Sequence, residues 1–550
     1  MAARTPDTSG QNANHGQVKL PKWISLVLLL IATVGLGIAH LRLSPYAFDD
    51  AYIHFRIAQN LAEYHVPYFN PTEAVKASSS SGWTILLFIP TWIAQSLNLP
   101  LDLPKMVAYL NTLWTICGAW VYARLLRRVV RRPRHEVLYW LFGALYVSLL
   151  AIPSIGLMET SFALLVVGIA LHGLLDGRIY ALSLLSAAVY LRLELAVLLG
   201  VAGLYGLVRR RFSLIHSIIF GALGMVPFLI YDLYFFGTFI PNTIQAKSLV
   251  YDLPMQQIAT DLANGLIPSS SFLSILGMDD IGIIFYFWAL VSVVGVVFIF
   301  RCVRWPVGTV ACAPNSREAQ EVTSVIILWG TIIAVTYIVM HVFVFPWYMP
   351  LYAVPLAFVC VKMLLDSPSL SKLLLLLVLM SVFLLDQCLN LAQLTLATTK
   401  GPFYYQDFRA GARVRHYLEI GKTLYEQYPN ARLLTSEIGG LGYSFRGVIM
   451  DGAGLISPDA LRYHPMKVPE ERSHGSFGAI PVGFIEDTQP DIIVSYDSFI
   501  EAFMRSSIRN AYKQTQYPLY LEDDMRYDPQ ATLWGSRYLN VFIRKDLLQK

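Results

Sequence analysis

Apolar runs of roughly 15–22 residues recur from near residue 24 to near residue 392, close to the ~20 residues a helix needs to cross a bilayer. In hydrocarbon every backbone N–H and C=O must bond within its own segment, so these runs are predicted to be helices. They fall near 24–42, 82–98, 105–123, 136–152, 160–175, 179–191, 194–208, 214–236, 280–300, 322–344, 351–365 and 373–392. Charged residues make up 14% of the 550, and the mean hydropathy is +0.51. A soluble chain of this size carries far more charge. The predicted fold class is an all-α polytopic membrane domain followed by a C-terminal α/β domain.

Basic clusters set the sides, because cytoplasmic loops carry the excess of Lys and Arg. Lys19 and Lys22; Arg124, Arg127, Arg128, Arg131, Arg132 and Arg134; Arg209, Arg210 and Arg211; Arg301, Arg304 and Arg317; and Lys362 with Lys372 are assigned inside. From Arg124 onward the sides alternate without conflict, which puts residues after about Ala392 outside. An inside N-terminus requires an even number of crossings before Arg124, yet three segments are present. Segment 82–98 contains Pro90, Gln95 and Ser96 and is predicted to be partial or interface-lying, leaving about eleven crossings. Segments 179–191 and 194–208 are each about 20 Å long as helices, short for a full crossing. Their apex, Tyr190-Leu191-Arg192-Leu193-Glu194, is predicted to lie at the floor of an outward cavity. Ionisable groups at such depth are costly and usually functional; an Arg–Glu pair that satisfies itself is the plainer reading.

Residues 1–22 are polar and predicted to be a disordered cytoplasmic segment. The run Ile24–Leu41 is too long for a cleaved signal and reads as an anchor. The transmembrane domain is assigned to 23–392 and the periplasmic α/β domain to 393–550. None of the five cysteines lies beyond the last span, so no disulfide framework is expected there. In that domain Ala431–Ser436, Gly447–Met450, Asp491–Val494 and Tyr538–Ile543 read as strands, and Phe408–Tyr428 as a helix. Gly421-Lys422-Thr423 ends like a phosphate-binding loop, but His416 stands where the first glycine is needed, so no nucleotide site is assigned. Nothing suggests nucleic-acid binding, and there is no internal repeat.

Two adjacent carboxylates, Asp49 and Asp50, open Phe48-Asp49-Asp50-Ala51-Tyr52-Ile53-His54-Phe55-Arg56-Ile57-Ala58-Gln59-Asn60-Leu61, just after the first span. On a helix Asp50 and His54 share one face, and Asp49, Tyr52 and Arg56 another. Glycosyl transfer needs a carboxylate to take the acceptor hydroxyl's proton and cations to hold the leaving phosphate. Equally, Asp49 can cap the helix, with Asp50 in its favourable first turn. Spacing alone leaves both readings open.

Asp49–Asn60, with Asn70-Pro71-Thr72-Glu73 and Trp83-Thr84-Ile85-Leu86-Leu87, resembles the first outer loop of polyprenyl-phosphate-sugar-dependent transferases of the GT-C superfamily. Gly156-Leu157-Met158-Glu159-Thr160, the stretch Tyr234–Lys247 containing Phe-Gly-x-x-x-Pro-Asn-Thr-x-x-Ala-Lys, and Glu437–Tyr443 with Asp451–Pro458 are similar to bacterial arabinofuranosyltransferases acting on mycobacterial arabinan or type IV pilins. The likeness spans about residues 45–460. Where those relatives carry Gly-x-Thr-x-Pro-Leu-Trp, this chain has Ala77-Ser78-Ser79-Ser80-Ser81-Gly82-Trp83, which leaves the sugar and acceptor open.

The resemblance implies a GT-C-type enzyme of the bacterial inner membrane. It would move a sugar, D-arabinofuranose in the nearest relatives, from a polyprenyl-phosphate donor to a glycan or pilin-like protein acceptor. Asp49 or Asp50 is then the catalytic base, with Asp49 favoured as the opening residue, and Glu159 points to the same cavity. His54, Arg56, Arg192, Glu194, Asn242 and Lys247 are candidates for donor and phosphate binding. Trp347 and Tyr348 are candidates to stack on a sugar, and Glu437 and Asp451 to close the site from above. Each has a plainer reading: helix first turn for Glu159, interfacial lysine for Lys247, membrane-anchoring aromatics for Trp347 and Tyr348, turn and strand-end residues for Glu437 and Asp451. A divalent cation stays open, because Asp49, Asp50, His54 and Glu159 are oxygen-rich without compact ligand spacing. Transfer of mannose or an aminopentose is the alternative within enzymes; a lipid-sugar flippase and a non-catalytic scaffold are the alternatives outside.

Overall fold

The computed structural model describes residues 30, 33–38, 47–130, 136–250, 253–264, 315–366, 409–467, 478–518, 536 and 538–549. Predicted segments 280–300 and 373–392 and most of 24–42 lie outside these residues.

Helix α1, Asp49–Glu63, starts on two acids in its first turn, which suit the positive end of the helix dipole. Helix α2, Ser81–Ser96, contains Pro90 and is about 24 Å long; it corresponds to the segment predicted as partial. Helix α3, Leu103–Val129, opens on an Asp102 cap that accepts from Lys105 N at 3.1 Å, and ends with Arg127 and Arg128 in its last turn. Then come α4 (Glu136–Ile155), α5 (Thr160–Leu175), α6 (Tyr180–Val189), α7 (Leu195–Val208) and α8 (Leu214–Phe236). Helix α8 is capped by Ser213 and stops at Gly237 in the left-handed region (φ +66°), a conformation glycine adopts without penalty. Helices α9 (Asn242–Val250) and α10 (Met255–Asn264) follow, then α11 (Asn315–Val339) and α12 (Pro350–Asp366).

Among the described residues two helices, Leu214–Phe236 and Glu318–Val339, are long and apolar enough to cross a membrane, and four apolar helices are shorter. The expected count of about eleven crossings is therefore not reached within them. Helix α8 exposes leucine, isoleucine and tyrosine all along its length, and its one buried residue is Asp232. A Cβ on Gly224 would strike the Ser183 carbonyl and Ser186 Oγ, so α8 and α6 meet nearly backbone to backbone.

The C-terminal unit opens with helix α13, Arg409–Gln427. Its strands are β1 (Arg432–Thr435), β2 (Val448–Asp451), β3 (Ile492–Tyr496), β4 (Tyr512–Pro518) and β5 (Tyr538–Arg544), in spatial order β2-β1-β3-β5-β4. The first three run parallel, and β5 and β4 pair antiparallel. The short helix α14, Gly439–Ser444, lies between β1 and β2 and packs on α1. Four strands and the helix match the expectation; β4 was not foreseen. Its sequence, Tyr-Lys-Gln-Thr-Gln-Tyr-Pro, has polar residues where a two-sided apolar strand would not, and its terminal proline suits the sheet edge it occupies.

Candidate active site

Helix α1 presents its two opening carboxylates in different directions, as residues 100° apart must. Asp50 and His54 turn toward the helices that precede the C-terminal unit. Asp50 accepts from Lys247 Nζ at 3.2 Å, each side chain about one quarter exposed. His54 Nδ1 lies 3.1 Å from Ser78 Oγ, and the charges of Glu159, Asp50, Arg192 and Lys247 all act on its ring. Burial holds that imidazole below its usual pKa, so it is neutral near pH 7. Burial also lowers Lys247, but Asp50 beside it more than compensates and holds the ammonium above its ordinary range.

Arg192, in the turn between α6 and α7, bridges two carboxylates: Glu159 at 2.7 Å and Glu194 at 2.7 Å. Its guanidinium stacks 4.4 Å over the Tyr348 ring, and Lys247 Nζ sits 4.6 Å over Phe345. Tyr337 stacks on Tyr348 and donates to Glu194 at 3.5 Å. Ser80 Oγ donates to Glu159 at 3.3 Å and to the Leu191 carbonyl at 2.8 Å. Glu159 Oε2 and Arg192 Nε have no protein partner among the described residues. Acids from α1, the α4–α5 turn and the α6–α7 turn thus come together in one cluster with two cations on aromatic faces.

The other face of α1 holds the C-terminal unit. Asp49 accepts from Gly439 N and Gly440 N, both at 2.8 Å, and a Cβ on Gly439 would strike the Asp49 backbone. Burial pushes the Asp49 carboxyl up, against the pull of those two amides and Arg413. Its oxygens are engaged by the start of α14 and not by its own helix, which leaves Asp50, about one quarter exposed, as the more accessible acid. Arg56 also faces away from that cluster: it donates to the carbonyls of Phe69, Gly442, Phe445 and Gly447 and to Asn70 Oδ1. With those donors spent, it has none to offer a phosphate.

Three further candidates stand apart. Asn242 donates to the carbonyls of Gly454 and Leu455 at 2.6 and 2.9 Å, pinning α9 to the C-terminal unit. Asp451 gathers the N–H groups of Ala453, Leu455 and Ile456, and burial pushes its carboxyl to about 7. Trp347 is packed between Phe48 and Phe345, with centroids at 4.7 and 4.6 Å, leaving Tyr348 as the aromatic under a cation. Glu437 pairs with Arg413 at 2.9 Å and accepts from Tyr417 at 3.0 Å. Burial raises it to about 7, with the charges of Arg413, Asp49 and, more weakly, Asp50 acting on it. The proposed oxygen-rich cation set does not fit, since Asp49, Asp50 and Glu159 already serve three different partners. Among the described residues no group of three or more His, Cys, Asp or Glu side chains is placed to hold a metal.

Sequence reasoning missed the serines. Ser78 meets His54, Ser80 meets Glu159, and Ser81 Oγ donates to Asp232 at 2.7 Å. The Ser78–Ser81 run was the signal, read only as a departure from a pattern. It also missed the buried pair of Asp232 and Lys76, whose ammonium donates further to the Phe239 carbonyl at 2.7 Å.

A family model described as a domain of unknown function, DUF8728, matches residues 404–541. Comparison with curated proteins gives no match. Among solved structures, the crystal structure of ArnT from Cupriavidus metallidurans bound to undecaprenyl phosphate is similar with a TM-score of 0.49 and 12% identity, over 94% of this chain and 98% of that chain.

Proposed function

We propose that the protein is a membrane glycosyltransferase of the GT-C kind. It takes a sugar, D-arabinofuranose by the resemblance of its loops, from a polyprenyl-phosphate donor and passes it to a glycan or protein hydroxyl on the periplasmic side of the bacterial inner membrane. The N-terminus is cytoplasmic in this reading. The observation that carries it is the half-open Asp50–Lys247 pair beside Arg192 and Tyr348.

The chemistry follows from the partners. In the free protein Lys247 occupies Asp50. A donor phosphate competes for that ammonium, since charge-assisted bonds to phosphate oxygens are strong. As Lys247 turns to the phosphate, an Asp50 oxygen is released to accept the proton of the acceptor hydroxyl. The hydroxyl oxygen bonds to the anomeric carbon, the bond from that carbon to the phosphate oxygen breaks, and polyprenyl monophosphate leaves with its charge held by Lys247 and Arg192. Glu159 and Glu194 fix the Arg192 guanidinium. Glu159 Oε2, without a protein partner, is an acceptor for a sugar hydroxyl. Burial of the isoprenoid tail, at ~0.8 kcal/mol per CH₂, supplies donor affinity.

The test is a panel of polyprenyl-phosphate sugars given to purified protein, with release of polyprenyl phosphate as readout. Turnover with the arabinofuranosyl donor above the mannosyl and aminopentosyl donors supports the full reading. Turnover with another sugar alone removes arabinofuranose, and release with none of them removes the transferase.

A further inference from the structure

Between α7 and α8 runs an open groove of about 490 Å³, lined by Leu199, Gly203 and Leu207 from one helix and Leu214, Gly221 and Leu229 from the other. The space is real on the glycine side: a Cβ on Gly200, Gly203 or Gly221 would meet no heavy atom within 4 Å. Gly206 on the same helix is filled by Phe212, so the openness is local. From Leu214 to Leu229 the slot runs about 22 Å along α8, the scale of an extended acyl chain.

One end of the slot is charged. The turn joining the two helices carries Arg209, Arg210 and Arg211. Arg211 is held by Glu321 at 2.7 Å and Glu318 at 3.6 Å. Arg209 and Arg210 are exposed, and among the described residues no carboxylate pairs with either. An apolar slot ending in two exposed arginines, Arg209 lying 5.5 Å over the Tyr205 ring, is complementary to a lipid with an anionic head, since such clusters at the cytoplasmic face attract anionic headgroups.

We propose that this slot holds an acyl chain of an anionic phospholipid of the inner leaflet, with Arg209 and Arg210 on its phosphate. The inference rests on the membrane-embedded reading above and concerns a lipid distinct from the sugar donor. The full chain is placed in phosphatidylcholine vesicles containing a trace of phosphatidylglycerol or of phosphatidylcholine with a photoreactive acyl chain, and labelled peptides are mapped. The phosphatidylglycerol probe is expected to label 199–229 roughly tenfold more than the phosphatidylcholine probe, and each of Arg209→Gln and Arg210→Gln to reduce that preference roughly fivefold at most. A Cβ at Gly203 or Gly221 meets no atom within 4 Å, and the double variant Gly203→Leu, Gly221→Leu is expected to lower labelling by both probes. Equal labelling by the two probes overturns the proposal. So do labelling indifferent to the leucines, and cross-links from the slot to 280–300, to 373–392 or to a second copy of the chain. Release of the protein from vesicles by alkaline carbonate overturns the membrane reading as well; retention with sugar transfer but no headgroup preference overturns the lipid site alone.

Discussion

Asp50 and Lys247 are 197 positions apart in sequence, yet the lysine ammonium donates to the aspartate carboxylate at 3.2 Å. The contact ties α1 to α9 and puts a partly exposed base beside a partly exposed cation. Its neighbour Asp49 turns to the C-terminal unit, so one dipeptide serves two sides of the same helix.

If Lys247 and Arg192 grip the donor phosphate, their loss falls on binding. Lys247→Met is expected to raise the donor KM roughly 10–100-fold, the range for losing a hydrogen bond between charged groups, with a smaller change in kcat. Steady-state kinetics at saturating acceptor check this; an unchanged donor KM removes Lys247 from phosphate binding.

Asp49→Ala removes two charge-assisted bonds to Gly439 and Gly440, each worth ~1.5–3 kcal/mol. Hydrogen–deuterium exchange should speed up across Gly439–Ser444 while the core of α3 and α5 stays protected. Uniform exchange changes would show Asp49 acting on the whole fold rather than on domain docking.

Asp232 and Lys76 form a buried pair near the C-terminal end of α8. Lys76→Met leaves the carboxylate buried without its cation and is expected to destabilise by ~3–5 kcal/mol. Replacing both, as Lys76→Met with Asp232→Leu, should recover much of that loss. Thermal unfolding in detergent separates the two, and a double variant as unstable as the single one contradicts the account.

Asp451 gives the C-terminal unit a pH dependence of definite sign. Its folded pKa is raised to about 7 from 3.8, so the folded state holds its proton more tightly than the unfolded one. The stabilisation is full below about pH 4 and is lost as pH rises through about 7. Amide protection in β1 and β2 should therefore fall between about pH 4 and 7, and Asp451→Asn should flatten that slope.

Much of this arrangement was legible in the sequence because helical periodicity is a strong constraint. The 3.6-residue repeat placed Asp50 with His54 and Asp49 with Arg56, and those pairs do diverge, one toward Lys247 and Ser78 and the other toward the C-terminal unit. Periodicity left open which carboxylate does the chemistry; Asp49 was favoured only because it opens the motif that carries the resemblance. Asp232 was hidden inside a long apolar run, because the partner that makes it tolerable, Lys76, lies 156 positions away. Arg56, Asn242 and Asp451 look like site residues by type. Their roles in joining and shaping the C-terminal unit depend on backbone carbonyls and amides, which sequence does not display.

The most direct measurement is a single turnover by purified wild-type and Asp50→Asn protein, each loaded with polyprenyl-phosphoarabinofuranose and offered an arabinan or pilin acceptor. The account predicts that the substitution slows release of polyprenyl phosphate roughly 10²–10⁴-fold, the usual contribution of a general base, with donor still bound. Transfer by Asp50→Asn at the wild-type rate would contradict it.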